Sequence, residues 1–221
     1  MNAIGGSTPK VMADASPGPA AVLHVGCGPR GLRHLHPAFR HPARWREIRL
    51  DLDPAVDPDI LCSITDMAGH VADASVSAVW SSHNIEHLFD HEVPQAFAEF
   101  RRVLKPDGFV LIRCPDFAAV LEAALAIGLE QEAYRSPAGP ITPLDMIFGH
   151  RASIARGNRF MAHHTAFTDT RLAQLLMAAG FTEVRTRRET GFDLWAVAMG
   201  PEADVKHRLF DLAESGLNFI G

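Results

Sequence analysis

The sequence contains little cysteine, and its three cysteines lie far apart at positions 27, 62 and 114. They form no C-x-x-C pair and their number is odd, which excludes a disulfide framework and favours a reducing compartment. We therefore expect a cytoplasmic protein in which these thiols are small buried side chains.

The chain also lacks an excess of basic charge. Its formal net charge is −5 and its pI is about 6.2, so little positive charge is available to neutralise a phosphate backbone. We expect no nucleic-acid partner.

Long apolar runs are missing as well. No run reaches the length of a transmembrane helix, and residues 1–19 mix Gly, Ser, Pro and Ala without the apolar segment of a signal peptide. The sequence therefore predicts no membrane partner and a flexible N-terminal tail over 1–19.

What remains has the composition of one globular domain. Hydrophobic residues make up 47% of the 221 residues, which is enough to bury a core. We place this domain at 20–200 and an amphipathic helix within 201–221. Apolar residues at 217–220 favour docking of this helix on the domain or on a second copy of the chain, so a homodimer is one expectation.

An apolar run near the N-terminus, Ala21–Val25, ends in a glycine-rich turn. The run is too short for a helix and suits a buried parallel strand, and glycines after it let the backbone turn sharply and approach a ligand. Gly26, Gly28 and Gly31 spell G-x-G-x-x-G, and Asp51 follows at about the twenty-residue offset of an acid that binds a ribose.

Further strands alternate with helix-length gaps. Apolar or alternating segments at 47–53, 59–64, 76–80 and 109–116 predict strands, which indicates an α/β architecture. Between the first two strands, Pro37 and Pro42 interrupt any continuous helix. Helices are predicted at three places, 93–104, 117–129 and 203–215.

The order of these motifs resembles that of the class I S-adenosylmethionine-dependent methyltransferases, in particular their small-molecule, type 11-like branch. The similarity covers roughly residues 20–199, and the order and spacing of the motifs carry it. The motifs are Leu23–Gly28, Asp51, Ser82–Leu88, Phe100–Gly108 (similar to R-V-L-K-P-G-G, with Asp107 in place of glycine), His164–Thr168 and Leu176–Phe181.

The resemblance implies a Rossmann-like, seven-stranded, mostly parallel sheet with helices on both faces. Its last two strands, at about 182–188 and 192–199, would form an antiparallel hairpin at one edge. S-adenosylmethionine would lie across the carboxyl ends of the first two strands. Asp51 would hold the ribose hydroxyls and Leu52 would pack on the adenine. The implied cofactor-binding residues are Gly26, Cys27, Gly28, Asp51, Leu52, Ser63, Ile64, Thr65, Ser82 and His83.

The acceptor side is less defined by the sequence. A long segment at about 130–166, rich in Pro, Gly, His and Arg, is typical of a lid over a binding site. A histidine can remove a proton from a hydroxyl or amine acceptor near neutral pH. The candidates for such a base are His83, His87, His150 and His164, together with His163.

We expect methyl transfer to a small molecule, or to a saccharide or lipid precursor. Strand four ends in Ser-Ser-His-Asn and not in the Asn/Asp-Pro-Pro-aromatic signature of amino-methylating enzymes, which favours an oxygen or carbon acceptor.

Two alternative functions stay open, and a third, a zinc hydrolase, is disfavoured. A nicotinamide-dependent oxidoreductase also uses G-x-G-x-x-G, and a noncatalytic S-adenosylmethionine-binding protein would share the fold. His83–His87 spells H-x-x-E-H, the motif of some zinc proteases, but that motif requires a helix and here directly follows a predicted strand. We therefore predict no metal ligands.

Overall fold

A computed structural model describes residue 11, residues 18–31 and residues 34–219. The predicted tail over 1–19 lies almost wholly outside these residues, as do the last two positions of the chain.

Within the described residues, seven strands form the central sheet and two more form a separate hairpin. The strands are β1 (Ala20–Val25), β2 (Trp45–Asp51), β3 (Ile60–Leu61), β4 (Val76–Ser82), β5 (Leu104–Pro115), the hairpin strands β6 (Tyr134–Ser136) and β7 (Gly139–Ile141), β8 (Glu183–Arg188) and β9 (Asp193–Met199). The order in the central sheet is β3-β2-β1-β4-β5-β9-β8; the first five strands listed in this order are parallel to one another, β9 is antiparallel to β5, and β8 is antiparallel to β9. This arrangement confirms the predicted fold class.

Two strands differ from the prediction by more than two residues at one end. β3 is confined to Ile60–Leu61, where it pairs only with the end of β2. β5 begins at Leu104 and not at Phe109, because Leu104 already pairs with Val76 before a register shift in β4. The Lys-Pro-Asp-Gly segment is therefore an irregular part of a strand.

β1 lies in the middle of the parallel strands and fixes the position of the site. Val22–Val25 pair with β2 on one side and with β4 on the other. Parallel neighbours end at the same edge of a sheet, so the turn after β1 lies beside the end of β2 at Asp51 and the end of β4 at Ser82.

One face of the sheet is covered by α1 (Val93–Val103) and α5 (Asp169–Ala178). Apolar residues at helical spacing on α1 are fully buried, including Phe97 and Phe100. Leu172 and Leu176 of α5 join the same core cluster. The helix prediction for 93–104 is thus confirmed, with the helix ending at Val103.

The opposite face is covered by α6 (Val205–Glu214) and by a single 3-10 turn at Pro37–Phe39. Between β1 and β2 the described residues contain no other helix, as the two prolines predicted. Leu212, Leu217 and Phe219 are buried in the core cluster of this face. The C-terminal helix therefore docks on its own domain.

The segment after β5 has more regular structure than the sequence indicated. It contains α2 (Phe117–Ile127), the β6–β7 hairpin, α3 (Pro143–Phe148), α4 (Arg151–Ala155) and a 3-10 turn at Arg159–Met161. Ile141 and Met146 pack against Val120 of α2, whereas Phe148 is exposed. We call residues 130–166 the insertion.

Within the described residues, no helix has both the length and the apolar character to span a bilayer.

Candidate functional site

A cleft of about 870 Å³ opens at the carboxyl ends of β1, β2 and β4. Residues 158–162 of the insertion border it on one side. Its volume is in the range of clefts that hold cofactors and small substrates. The cleft is one continuous space, and all of its lining side chains face this space.

The turn after β1 depends on two glycines. Gly26 and Gly28 have φ values of +59° and +60°, in the left-handed region that favours glycine. A Cβ on Gly26 would lie 2.5 Å from Cγ of Asn84, whereas a Cβ on Gly28 would have no atom within 4 Å. Gly26 is therefore packed against the loop after β4, and Gly28 leaves the backbone open to the cleft. Gly31 has no left-handed φ, so only the first two glycines of the motif have this role.

Asp51 joins the turn after β1 to the turn after β2. Its carboxylate accepts hydrogen bonds from the backbone N–H of Gly28 at 2.9 Å and of Asp53 at 3.0 Å. Each carboxylate oxygen has two acceptor positions, so both oxygens retain capacity for a ligand in the cleft.

Arg49 lies beneath the glycine turn and was missed by the sequence analysis, which placed no function on it. Its guanidinium is buried and donates to the carbonyls of Gly28, Val56 and Asp57. It thereby holds the loops after β1 and β2 together. The available signal was a cation inside a buried parallel strand, directly between Ile48 and Leu50.

Most of the implied cofactor residues line the cleft. Ser63 and Thr65 do not: their hydroxyls bond to each other at 2.7 Å. Leu52 is 53% exposed at the rim. Burial raises the pKa of the Cys27 thiol to about 12, so this side chain is a neutral part of the wall. The implied residues that line the cleft are Gly26, Cys27, Gly28, Asp51, Leu52, Ile64, Ser82 and His83.

His83 lies between two carboxylates. Its Nδ1 is 3.3 Å from Oε1 of Glu86 and its Nε2 is 3.3 Å from Oδ1 of Asp193. Burial lowers its pKa, but its ion-pair contacts with the carboxylates of Asp193 and Glu86 outweigh burial and raise the pKa to about 9. The ring is therefore protonated at neutral pH, and a protonated ring does not accept a proton, so this geometry does not suit His83 as a base.

The other histidine candidates differ in position. His87 and His164 line the cleft. His163 lies beside His87, with the two ring centroids 4.9 Å apart. His150 does not line the cleft, and its Nδ1 is 2.7 Å from the hydroxyl of Ser153. The structure thus brings three of these histidines together and leaves His150 outside.

Aromatic rings form another part of the cleft wall. Trp195 stacks on Trp80 with centroids 5.9 Å apart, and His36 lies 5.4 Å from both rings. The guanidinium of Arg113 lies 5.5 Å from the Trp195 centroid and pairs with Asp193 at 2.6 Å. Burial, together with the charges of nearby arginines, lowers the pKa of His36 to about 4, so its ring is neutral. We call Trp80, Trp195, His36 and Arg113 the aromatic wall.

Part of the chain, including the turn after β1 and Asp51, matches a family of known proteins. Residues 23–112 match the family model described as "Methyltransferase domain". No curated protein shows significant similarity to the sequence.

Solved structures share the fold at low sequence identity. A protein from Pyrococcus horikoshii superposes with a TM-score of 0.57 at 16% identity, over 82% of each chain. A SAM-dependent methyltransferase from Methanosarcina mazei gives 0.52 at 16% identity, over 82% of this chain and 92% of that one. One from Archaeoglobus fulgidus gives 0.52 at 12% identity, over 82% and 86%.

The cleft fits the cofactor of this family, because Gly28 leaves open space above the backbone and Asp51 retains acceptor positions beside it. The methyltransferase-domain match over residues 23–112, the strand order and this fit indicate an S-adenosylmethionine-dependent methyltransferase, an enzyme whose cofactor is S-adenosylmethionine.

Proposed function

We propose that the protein methylates a small-molecule acceptor held in the same cleft as the cofactor, at an oxygen or carbon atom. The observation that carries this proposal is the continuity of the cleft, which runs from Gly26 and Asp51 to the aromatic wall and the insertion. Cofactor and acceptor can therefore lie side by side, so that the methyl group is transferred within the cleft and not through bulk solvent.

The cofactor half is the edge formed by the turns after β1 and β2. Asp51 accepts two backbone hydrogen bonds there and would accept further ones from the two ribose hydroxyls of the cofactor. Leu52 is exposed beside it and would cover one face of the adenine. The turn at Gly26–Gly28 would contact the methionine and ribose portion, because it carries no Cβ at its two glycines.

The acceptor half is the space between the aromatic wall and residues 158–162. Flat rings with a guanidinium at their edge suit a molecule with an apolar or aromatic body and a polar group. Phe160 and Met161 of the insertion complete this half. These features support a small-molecule acceptor and a lid role for the insertion.

The protein's contribution to the reaction would be mainly positional. The bound cofactor supplies an electrophilic methyl group on a sulfonium. The two halves of the cleft would hold the acceptor atom in line with that group and exclude water, which are large contributions to such a displacement. If the acceptor is a hydroxyl, His87 and His164, two of the candidate bases that line the cleft, could take its proton.

The experiment that tests the cofactor half is a calorimetric titration with S-adenosylhomocysteine. Asp51→Asn should weaken binding by roughly 10- to 100-fold, because a hydrogen bond to a charged group contributes about 1.5–3 kcal/mol. Asp57→Asn is the matched control, since Asp57 lies on the same loop, is exposed and tolerates asparagine at its φ of +50°. Equal affinities of the two variants would contradict the assignment of Asp51.

The experiment that tests the acceptor half is release of S-adenosylhomocysteine from S-adenosylmethionine across a panel of small phenols, carboxylated aromatics and activated carbon acids. Trp195→Ala should raise KM for any acceptor that turns over while leaving the affinity for S-adenosylhomocysteine unchanged. A Trp195→Ala enzyme with unaltered KM would place the acceptor elsewhere.

A further inference from the structure

Glu86 is a buried carboxylate without a hydrogen bond. Its side chain is 2% exposed, and within the described part of the chain no hydrogen-bond donor of suitable geometry reaches either oxygen. His83 lies 3.3 Å from Oε1, as an ion-pair contact on one side only. A buried charge is costly unless it is paired and hydrogen-bonded, or bound to a metal. The burial of Oε2 of Glu86 without a hydrogen bond therefore requires an explanation.

Two histidines beside Glu86 are oriented by backbone carbonyls. Nδ1 of His87 lies 2.9 Å from the carbonyl of Ala162, and Nδ1 of His163 lies 2.9 Å from that of Met146. A carbonyl only accepts hydrogen bonds, so Nδ1 carries a proton in both rings, and in the neutral form of each ring Nε2 is the nitrogen with the free lone pair. Metal-bound histidines in proteins are usually held in this way.

The three side chains converge. One ligand atom each from Glu86, His87 and His163 lies within 4.8 Å of the other two. Ligands at about 2.0–2.1 Å from a tetrahedral zinc ion are about 3.3 Å apart. Small side-chain rotations would therefore close the set around an ion.

We propose that Glu86, His87 and His163 form a binding site for a first-row divalent transition-metal ion, with Zn²⁺ as the best match. Two imidazole nitrogens and one carboxylate suit Zn²⁺, whereas Mg²⁺ and Ca²⁺ prefer oxygen ligands throughout. This site departs from the sequence analysis, which predicted no metal ligands. It does not depend on the identity of the methyl acceptor.

The ion would connect two parts of the chain that already touch. The backbone N–H groups of His164 and Thr165 donate to the carbonyl of Glu86 at 2.9 Å and 3.3 Å. A metal bound by Glu86, His87 and His163 would fasten the end of the insertion to the turn after β4. Since His87 also lines the cleft, the ion would lie at the border of the acceptor half, and His164 would be left as the uncommitted histidine there.

The test is metal binding by the full-length protein after removal of metals with a chelator. Zn²⁺ is titrated in competition with a chromophoric chelator, and Co²⁺ is titrated while its visible absorption is recorded. We expect one saturable Zn²⁺ site per chain with a dissociation constant below about 1 µM. Co²⁺ should give the intense visible bands of a low-coordinate nitrogen and oxygen site, and Zn²⁺ should raise the thermal midpoint.

His163→Gln and Glu86→Gln should each weaken Zn²⁺ binding by at least about 100-fold, more than the loss typical of an outer-shell partner. His150→Gln is the matched control, because His150 is in the same insertion but outside the cluster. Wild-type protein without a saturable site would overturn the proposal, and so would equal Zn²⁺ affinity of His163→Gln and His150→Gln. If Glu86→Gln fails to fold, the wild-type titration and His163→Gln still decide the question.

Discussion

At the scale of single residues, the glycine turn after β1 is held by two side chains that hydrogen-bond to its backbone. Asp51 accepts from the N–H of Gly28, and Arg49 donates to the carbonyl of the same residue. The glycine turn is thus fixed from both its donor and its acceptor side. Asp51 could be predicted from its offset to the glycines, but Arg49 could not, because nothing in the local sequence distinguishes it from its neighbours Arg44 and Arg46 as an arginine that turns inward.

The two glycines of the turn should respond differently to alanine. Both have left-handed φ values, so both substitutions strain the backbone, but only Gly26→Ala also places a Cβ against Asn84. Gly26→Ala should therefore cost about 1–3 kcal/mol more in free energy of unfolding than Gly28→Ala. Urea denaturation of both variants measures this difference, and equal losses would contradict the packing of Gly26.

His36 should make stability depend on pH. Its folded-state pKa is lowered to about 4 from an ordinary value of 6.5, so the unfolded chain binds a proton first as the pH falls. Stability is full above about pH 6.5 and is lost progressively down to about pH 4. When the pH falls from about 7 to about 5, His36 should lower the free energy of unfolding by an amount on the order of 2 kcal/mol.

His36→Gln is the variant that checks this, because an amide oxygen can still accept the hydrogen bond that Nδ1 accepts from the N–H of Ala38. Its free energy of unfolding, measured in urea at the two pH values, should change less than that of the wild type. A variant that loses as much stability as the wild type would show that other groups cause the acid sensitivity.

At the scale of elements, the most regular parts were predictable and the least regular were not. The helix α1 follows from its apolar spacing, and the β8–β9 hairpin was expected from the resemblance to the methyltransferases. β3 shrinks to two residues because it pairs only with the tip of β2. The elements of the insertion were missed because each is short, and short elements are stabilised by tertiary packing, such as that of Ile141 and Met146 on Val120.

Docking of α6 can be tested within the helix itself. Leu212 is buried in the core on the face of the sheet that α6 covers, whereas Phe210 is 56% exposed. Leu212→Ala should lower the free energy of unfolding by about 2–5 kcal/mol. Phe210→Ala should change it by less than about 0.5 kcal/mol. Thermal or urea unfolding compares the two, and similar losses would argue against the docked position.

At the scale of the whole molecule, the cleft results from strand topology together with one unusual connection. The carboxyl ends of β1, β2 and β4 lie at one edge of the sheet because neighbouring parallel strands run in the same direction. This could be predicted from the sequence. The short, proline-interrupted connection after β1 contributes His36 beside Trp80 and Trp195. A pairing of residues this distant in sequence requires the folded chain and could not be read from local patterns.

The convergence of Glu86 and His87 with His163 has the same origin. The sequence shows Glu86 and His87 next to each other, but His163 follows only near the end of the insertion. Its approach depends on hydrogen bonds of residues 163–165 to Phe148 and Glu86. Proximity of this kind is a property of tertiary structure.

The measurement that most directly tests the account is the affinity of the purified wild-type protein for S-adenosylhomocysteine, compared by calorimetry with its affinity for NAD⁺. The account predicts one saturable site per chain for S-adenosylhomocysteine, displaced by S-adenosylmethionine, and no saturable binding of NAD⁺. Saturable binding of NAD⁺ with none of S-adenosylhomocysteine would contradict it, and would reassign the glycine turn and Asp51 to a dinucleotide.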